Sequence, residues 1–235
     1  MHSAPWISSP HKKRLRFWRG LGCFLLCLIL CSRTVCAETR FATVYYEHDN
    51  RERKIALTFD DGPHPILTPK ILDILKKYNV KATFFVVGEN VKNYPDAVER
   101  ILNEGHELGN HTYTHDKIDL AEIESCENAI LELTDQKPKI FRPPEGFINK
   151  GVKAISADLG YDIILWSIDT RDWDHTPPSA ICDTVLRQLK AGSIILMHDY
   201  IGYKSPTPEA LERLLPAILA LDYRFVVVSE LIGTK

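Results

Sequence analysis

From residue 54 onward, short apolar runs alternate with longer segments in which apolar residues recur every three or four positions. A continuous apolar run predicts a buried strand, and a recurrence of three to four predicts an amphipathic helix. The predicted strands cover residues 55–59, 82–87, 106–110, 139–142, 162–168, 193–197 and 223–228. The predicted helices cover residues 67–78, 95–103, 120–134, 150–159, 178–189 and 208–221.

Repeated strand–helix units with continuous apolar strands predict a parallel sheet covered by helices. About seven such units fit between residue 38 and the end of the chain, whereas a complete eightfold barrel needs ~250 residues. We therefore predict a single α/β domain with a distorted or incomplete (β/α) barrel, and an open sheet is the alternative. In both architectures the functional side chains gather at the C-terminal ends of the strands.

The first 37 residues differ in kind from the rest of the chain. A basic stretch at residues 11–16 precedes an apolar run at 21–31, and small residues follow at 35–37. This order is typical of a secretory signal peptide, and the apolar run is shorter than the ~20 residues of a membrane span. We predict cleavage near Ala37, a domain at 38–235 with no stable membrane span, and a secreted, periplasmic or cell-envelope location. An uncleaved anchor is the alternative.

Charge and cysteine content narrow the choice of partners. The leader holds six of the 29 Lys and Arg residues and no acid, so 23 basic residues face 31 acidic ones in the remainder. This negative charge argues against nucleic acid as a partner. Cys126 and Cys182 are the cysteines outside the leader. Export would permit a disulfide between them, and two separate buried thiols fit equally well. The sequence carries no signal for an oligomeric state.

Polar clusters follow five of the predicted strands, so all five should face one rim of the sheet. They are Asp60-Asp61, the segment from His111 to His115, the segment from Arg142 to Glu145, the segment from Asp169 to Trp173, and His198-Asp199. This coincidence of position predicts a functional site more strongly than any one cluster does.

Two of these clusters suggest metal chemistry. One carboxylate of Asp60-Asp61 can hold a metal while the other acts as a base, although acidic residues before Gly-Pro are also common in plain turns. His111 and His115 are four residues apart, so a helical turn would present both imidazoles on one face. Two imidazoles and a carboxylate favour a catalytic Zn²⁺ site, and Fe(II) in an oxygenase is the alternative. An oxidative site would not need the second Asp, the Arg and the third His.

The motifs TFDDGP, HTYTH, RPPEG, DTRDW and LMHD occur in this order. They resemble the five motifs of the polysaccharide deacetylases, the NodB-homology family that is also called carbohydrate esterase family 4. The resemblance covers about residues 54–230. It implies a distorted (β/α) barrel that removes N- or O-acetyl groups from polysaccharides. It also implies a Zn²⁺ ion, or another divalent metal such as Co²⁺, held by one Asp and two His.

Carried over residue by residue, the resemblance implies roles for the clustered side chains. The implied metal ligands are Asp61, His111 and His115. The implied catalytic residues form two pairs. Asp60 is the implied general base and pairs with the cation Arg142. His198 is the implied general acid and pairs with the anion Asp172.

Three further residues are implied to contact the substrate. The backbone N–H of Glu145 would stabilise the oxyanion, and Leu196 and Trp173 would line the pocket for the acetyl methyl. Many relatives carry Tyr or another aromatic residue where this chain has Glu145. An acidic side chain at that position predicts a cleft that disfavours anionic glycans.

The predicted function is a secreted, metal-dependent hydrolase that removes N-acetyl groups from N-acetylglucosamine units of peptidoglycan or a chitin-like glycan. Its partner would be the acetylated polysaccharide or oligosaccharide. An esterase for O-acetyl groups, as on xylan, needs the same metal and base and is one alternative. A glycan-binding barrel without catalysis is another, which the presence of every implied metal and acid–base residue disfavours.

Overall fold

The structure is a computed structural model that describes residues 1–2, 40–49, 52–200 and 204–234. The predicted signal peptide lies almost wholly outside these residues, so its cleavage stays a prediction. The strands are β1 (Val44–Tyr45), β2 (Lys54–Asp60), β3 (Thr83–Val86), β4 (Glu107–Asn110), β5 (Ile140–Phe141), β6 (Asp162–Ile164), β7 (Ile168–Asp169), β8 (Ile194–His198) and β9 (Arg224–Phe225). The helices are α1 (Leu67–Lys77), α2 (Gly88–Asn93), α3 (Pro95–Asn103), α4 (Leu120–Thr134), α5 (Lys150–Leu159), α6 (Pro178–Gln188), α7 (Thr207–Ala220) and α8 (Val228–Ile232).

The strands form one parallel sheet in the order β1-β6-β5-β4-β3-β2-β8-β7, and β9 pairs with the start of β2. β6 and β7 are separated by only residues 165–167, yet they lie toward opposite ends of this order. Four residue steps span at most about 14 Å, so the sheet must curl until its two ends approach each other. The predicted distorted or incomplete barrel is therefore confirmed, and the open sheet is wrong.

The predicted strand at 162–168 is wrong in its extent, because the structure divides it into β6 and β7. β6 pairs with β5 and β1, whereas β7 pairs with β8. At the break, the carbonyls of Ile164 and Leu165 accept hydrogen bonds from the Arg142 side chain, each at 3.0 Å. Leu165 is only 5% exposed, so the apolar pattern continues through the break and does not reveal it.

Four short elements were mispredicted or missed: β1, α2, β9 and α8. The last strand was predicted to reach Val228, but β9 ends at Phe225 and Val228 begins α8. β1 and α2 were not predicted, because two and six residues are too few to show a period.

The barrel interior is filled by apolar side chains from the strands and from α8. They are Ala56, Phe85, Ile140, Ile164, Ile194, Val226, Val228, Leu231 and Ile232. The backbone N–H of Val228 donates to the Thr83 hydroxyl at 2.9 Å, and that of Ser229 donates to the Glu107 carboxylate at 3.2 Å. Thr83 and Glu107 begin β3 and β4. α8 therefore closes the N-terminal end of the barrel, and the other end stays available for a site.

Helices cover the outer face of the sheet with their apolar sides. In α1, Ile71, Leu72 and Leu75 are fully buried, as the three-to-four spacing predicts. In α7, Leu211 and Leu214 are buried in the same cluster. Each such side chain stabilises the fold by about 1.5–3 kcal/mol.

Neither cysteine of the described domain forms a disulfide. Cys126 is a buried thiol whose Sγ lies 3.3 Å from the Val86 carbonyl, and Cys182 is a partly exposed thiol. Among the described residues, no helix is long and apolar enough to cross a membrane.

Candidate active site

The two adjacent carboxylates leave β2 on the same side of the chain. Asp60 is the last residue of β2 and is 3% exposed. Consecutive strand residues normally point to opposite faces, but Asp61 has a φ of 76° and turns out of the strand. As a result, His111 Nε2 lies 3.8 Å from Asp60 Oδ2 and 3.3 Å from Asp61 Oδ1.

The two histidines come from a turn, and the expected helical turn is wrong. Thr112 and His115 have φ values of 67°, which right-handed helix does not allow. Glu122 of α4 holds this turn, since its carboxylate accepts from the backbone N–H groups of Tyr113 at 3.1 Å and Thr114 at 2.8 Å. The ring centroids of His111 and His115 are 5.0 Å apart. The two imidazoles therefore meet as predicted, but by a different backbone path.

The three predicted metal ligands lie together. Asp61 Oδ1 is 3.3 Å from His111 Nε2 and 3.4 Å from His115 Nε2, and one donor atom from each residue lies within 4.8 Å of the others. His111 Nδ1 lies 2.7 Å from the Arg142 carbonyl. A carbonyl only accepts, so Nδ1 donates to it, and Nε2 is the ring atom that faces Asp61. One carboxylate and two imidazoles, in the neutral form that binds metals, fit a divalent ion that keeps a position open.

Asp61 stays ionised in this setting. Burial raises the pKa of its carboxyl, but the hydrogen bond and charge of His111, with His198 and His115, outweigh burial and lower that pKa overall. An anionic carboxylate is the form that binds a cation.

Asp60 forms a buried ion pair with Arg142. Arg142 is fully buried, and its Nη1 donates to Asp60 Oδ1 at 2.6 Å and to Thr58 Oγ1 at 2.8 Å. Its guanidinium lies 4.1 Å from the centroid of the Phe85 ring inside the barrel. Arg142 thus occupies one oxygen of Asp60 and leaves Oδ2 facing His111.

His198 and Asp172 form the second pair. His198 ends β8, and Asp172 lies in the 3₁₀ turn Asp172–Asp174 after β7. His198 Nδ1 is 2.8 Å from Asp172 Oδ1, and the backbone N–H of His198 and the Thr207 hydroxyl donate to Oδ2 at 2.9 and 2.6 Å. Burial disfavours the imidazolium, but the Asp172 carboxylate, together with the charges of Asp60 and Asp61, outweighs burial and raises the pKa of His198 to about 9. His198 is therefore protonated at neutral pH.

The predicted substrate contacts lie at three places on the rim. Leu196 is 3% exposed and stands two residues before His198, so it shares the inner face with it. Trp173 is half exposed, and the Arg171 guanidinium lies 5.5 Å from the centroid of its ring. Glu145 is exposed with a φ of 56°, and it lines an open cavity of about 270 Å³ with His115, Asp116, Lys117, Ile118, Pro144 and Phe147.

Sequence reasoning missed several supporting residues. Glu122 lies inside a predicted helix, where an acid is usually solvated. Thr58 lies inside a predicted strand, and Thr207 lies just before a predicted helix. Their hydrogen bonds with Arg142 and Asp172 form only in the folded chain. Asp199 directly follows His198 and is 1% exposed. Burial, together with the charges of Asp61 and Asp60, raises its pKa to about 7. Its place in the LMHD motif was the one available signal.

Comparison with known proteins defines the class. The family model for polysaccharide deacetylase matches residues 47–164. A peptidoglycan-N-acetylglucosamine deacetylase of Bacillus cereus is 42% identical over 200 residues, which cover 82% of this chain and 94% of that protein. A chitooligosaccharide deacetylase of Sinorhizobium fredii is 36% identical over 193 residues, covering 74% of this chain and 89% of that protein. The chain belongs to the polysaccharide deacetylase family.

Solved structures show the same fold. A crystal structure of a peptidoglycan N-acetylglucosamine deacetylase bound to a benzamide ligand has a TM-score of 0.79 and 36% identity, covering 83% of this chain and 94% of that chain. A family 4 acetyl xylan esterase from Clostridium thermocellum, in complex with a cobalt ion, has a TM-score of 0.70 and 34% identity, covering 77% and 90%. Family membership supports a hydrolytic deacetylase, as the motifs predicted.

Proposed function

We propose that this protein is a secreted, metal-dependent hydrolase that removes N-acetyl groups from N-acetylglucosamine residues of peptidoglycan or a chitin-like glycan. The observation that carries the proposal is the meeting of Asp61, His111 and His115 within 4.8 Å, beside the buried Asp60–Arg142 pair. The activities named for the Bacillus and Sinorhizobium relatives support the substrate class. The basic and apolar leader supports secretion.

In this proposal Asp61, His111 and His115 hold the metal, with Zn²⁺ as the first candidate and Co²⁺ as another. When bound, such an ion polarises the acetyl carbonyl and lowers the pKa of water. Asp60 Oδ2 accepts a proton from the water whose oxygen attacks the acetyl carbon. Arg142 keeps the Asp60 carboxylate oriented for that transfer.

The other rim residues complete the reaction. The backbone N–H of Glu145 is assigned to the oxyanion, and Leu196 and Trp173 to the acetyl methyl. His198 donates a proton to the amide nitrogen as the carbon–nitrogen bond breaks, so that acetate and a free amine leave. Asp172 orients His198 and keeps it charged, which matters because an unprotonated amine anion is a very poor leaving group.

Acetate release tests the proposal directly. We expect the protein loaded with Zn²⁺ to release acetate from N-acetylglucosamine oligomers and from peptidoglycan, and a chelator to stop the release until Zn²⁺ is restored. A protein that binds these glycans but releases no acetate with any divalent metal would be a glycan-binding barrel, which contradicts the proposal.

The role of Asp60 is tested by Asp60→Asn. The amide keeps the size of the side chain but cannot accept the proton, so we expect kcat to fall by about 10²–10⁴ with Zn²⁺ still bound. The measurement pairs steady-state acetate release with metal content. Full activity in a metal-loaded Asp60→Asn protein would remove Asp60 from the role of base.

An O-acetyl esterase is the second candidate, which the structural similarity to an acetyl xylan esterase favours. An alkoxide leaves more readily than an amine anion, so ester cleavage depends less on a general acid. We expect His198→Ala to abolish acetate release from N-acetylglucosamine oligomers and to reduce release from acetylated xylan far less. A wild-type protein that acts only on the ester would decide for the esterase.

A further inference from the structure

Asp199 lies against the turn that carries the two catalytic-site carboxylates, and the mechanism above does not use it. Its backbone N–H donates to the Asp60 carbonyl at 3.1 Å, which joins the end of β8 to the end of β2. Its side chain is 1% exposed and turns toward Gly62 rather than toward solvent.

The Asp199 carboxylate fills the space that a side chain at residue 62 would need. A Cβ added to Gly62 would lie 2.1 Å from Asp199 Oδ2 and 2.2 Å from Oδ1, far closer than nonbonded atoms can approach. Gly62 is not among the described residues with positive φ. Glycine is therefore needed here for close approach and not for a left-handed backbone.

The same carboxylate is anchored to helix α1. The Thr68 hydroxyl donates to Asp199 Oδ2 at 2.5 Å and accepts from the backbone N–H of His64 at 2.8 Å. Thr68 is fully buried, so water does not compete for these hydrogen bonds. Asp199 and Thr68 thus tie the turn after β2 to the start of the next helix.

The start of α2 and the residue before it also hold this turn. The Asn90 side chain donates to the Asp61 carbonyl at 2.8 Å, and the backbone N–H of Val87 donates to the Gly62 carbonyl at 2.9 Å. Contacts from Asp199 and from Asn90 therefore both hold the turn in which Asp61 has a φ of 76°.

We propose that Asp199 is a positioning residue that holds the Asp60-Asp61-Gly62 turn so that Asp61 reaches His111 and His115. It touches neither metal nor substrate in this role and acts by setting the affinity of the metal site. The inference rests on the proposed metal site, and so on the proposed function. Metal affinity measured without substrate separates the two.

The first test compares Asp199→Ala with Asp199→Asn by Zn²⁺ titration against a competing chelator. Alanine removes both the carboxylate that packs against Gly62 and the acceptor for the Thr68 hydroxyl. We therefore expect Zn²⁺ affinity to fall about 10–100-fold, as for other residues that support metal ligands. Asparagine keeps the size and one acceptor oxygen, so we expect most of the affinity to return. Thr68→Val should weaken affinity in the same direction.

The matched control is Ser156→Ala, which removes a buried hydroxyl without a hydrogen-bond partner among the described residues, outside this turn. We expect Ser156→Ala to leave Zn²⁺ affinity unchanged. A folded Asp199→Ala protein with wild-type Zn²⁺ affinity would overturn the inference and leave the proposed function standing. A wild-type protein that binds Zn²⁺ but releases no acetate would fail the proposed function, while the ratio of affinities still decides the role of Asp199.

A steric test probes the same contact from the Gly62 side, and Gly62→Ala alone keeps the inference testable if Asp199→Ala folds poorly. Gly62→Ala should clash with the Asp199 carboxylate and weaken Zn²⁺ binding. In the double variant Gly62→Ala/Asp199→Ala the clash is gone, so we expect affinity no lower than in Asp199→Ala alone. Losses that add in full would show that the two residues act independently and would overturn the inference.

Discussion

At the residue scale, Asp60 and Asp172 are both carboxylates that pair with a cation. The cation decides which member of each pair can transfer a proton. Arg142 does not give up its proton at physiological pH, so Asp60 is the member of its pair that can accept one. His198 does exchange a proton, so Asp172 raises its pKa to about 9 and makes it a donor. The identity of the partner thus separates the proposed base from the proposed acid.

The pH dependence of activity should report the second pair. His198 has a raised pKa, so its acid form is present below about pH 9 and is lost as the pH rises through that value. Asp172→Asn removes the carboxylate while burial still disfavours the imidazolium. We expect the alkaline limb of the kcat/KM profile to move by at least one pH unit toward acid. An alkaline limb that stays in place would exclude His198 as the acid.

Glu145 should control the response to substrate charge. We expect Glu145→Gln to raise kcat/KM for glycans that carry carboxylates by about two- to tenfold relative to neutral oligomers, because one like charge leaves the cleft. High salt should shrink the difference. Lys117→Gln, in the same cavity, is the matched control and should shift the preference the opposite way. An unchanged preference in Glu145→Gln would refute this role.

The sequence predicted the candidate site residues because each lies at or soon after the end of a strand. It could not reveal how the backbone delivers them. The φ of 76° at Asp61 and the turn from His111 to His115 depend on contacts with α2 and α4 that only the folded chain makes. Asp199 was missed for the same reason, since its significance lies in its contact with Gly62.

At the element scale, two acids at the start of α4 have different roles. Asp119 caps the helix, and Glu122 holds the turn from His111 to His115. Asp119 caps α4 by accepting from the backbone N–H of Glu122 at 3.0 Å. Glu122 directs its own carboxylate back to the turn, where it also accepts from the Thr114 hydroxyl at 3.0 Å. Neighbouring acids on one helix end therefore have separable effects.

Substitution of these two acids should separate stability from metal binding. We expect Glu122→Ala to release the turn and lower Zn²⁺ affinity about tenfold. Asp119→Ala should lower the thermal midpoint through loss of the cap and leave Zn²⁺ affinity nearly unchanged. Zn²⁺ titration and thermal unfolding on the same samples provide the measurements. Equal effects of both substitutions on metal affinity would argue against a separate role for Glu122.

Helices were easier to predict than strands, for a physical reason. A helix such as α4, predicted and found at 120–134, satisfies its backbone internally, so its own side-chain period defines it. A strand depends on its neighbours. The predicted strand at 162–168 is interrupted after Ile164. There the carbonyls of Ile164 and Leu165 accept hydrogen bonds from the Arg142 side chain and not from a neighbouring strand.

At the scale of the whole molecule, the proposed metal joins distant parts of the chain. Asp61 follows β2, while His111 and His115 follow β4, and β3 lies between these strands. A ligand that binds only the folded state adds to its stability. Binding of the metal at the proposed site should therefore raise the unfolding temperature as well as support activity.

Thermal unfolding should detect this effect. At 100 times its Kd, Zn²⁺ stabilises the folded state by about 2.7 kcal/mol. For a domain of this size we expect a rise in Tm of about 5–10 °C, which a chelator reverses. His115→Ala is the control and should show little or no rise. A rise of the same size in His115→Ala would place the metal elsewhere.

The barrel as a whole could be predicted from the count of strand–helix units and their apolar strands. The position of its seam could not, because β6 and β7 read as one apolar run. The role of α8 was also hidden, since the predicted last strand ran to Val228, which is the first residue of α8. Both features depend on how the sheet closes.

The position of α8 has a consequence for synthesis. Its residues enclose the barrel but are translated after every strand. A ribosome that adds ~5–20 residues per second needs roughly 2–7 s to pass from His198, where β8 ends, to Ile232, and β9 is the one described strand made in between. During that interval α8 does not yet cover the N-terminal end of the sheet, so the inner apolar surface is exposed to water and to chaperones. If the leader directs export as proposed, we expect the chain to remain unfolded enough for translocation until α8 has been made.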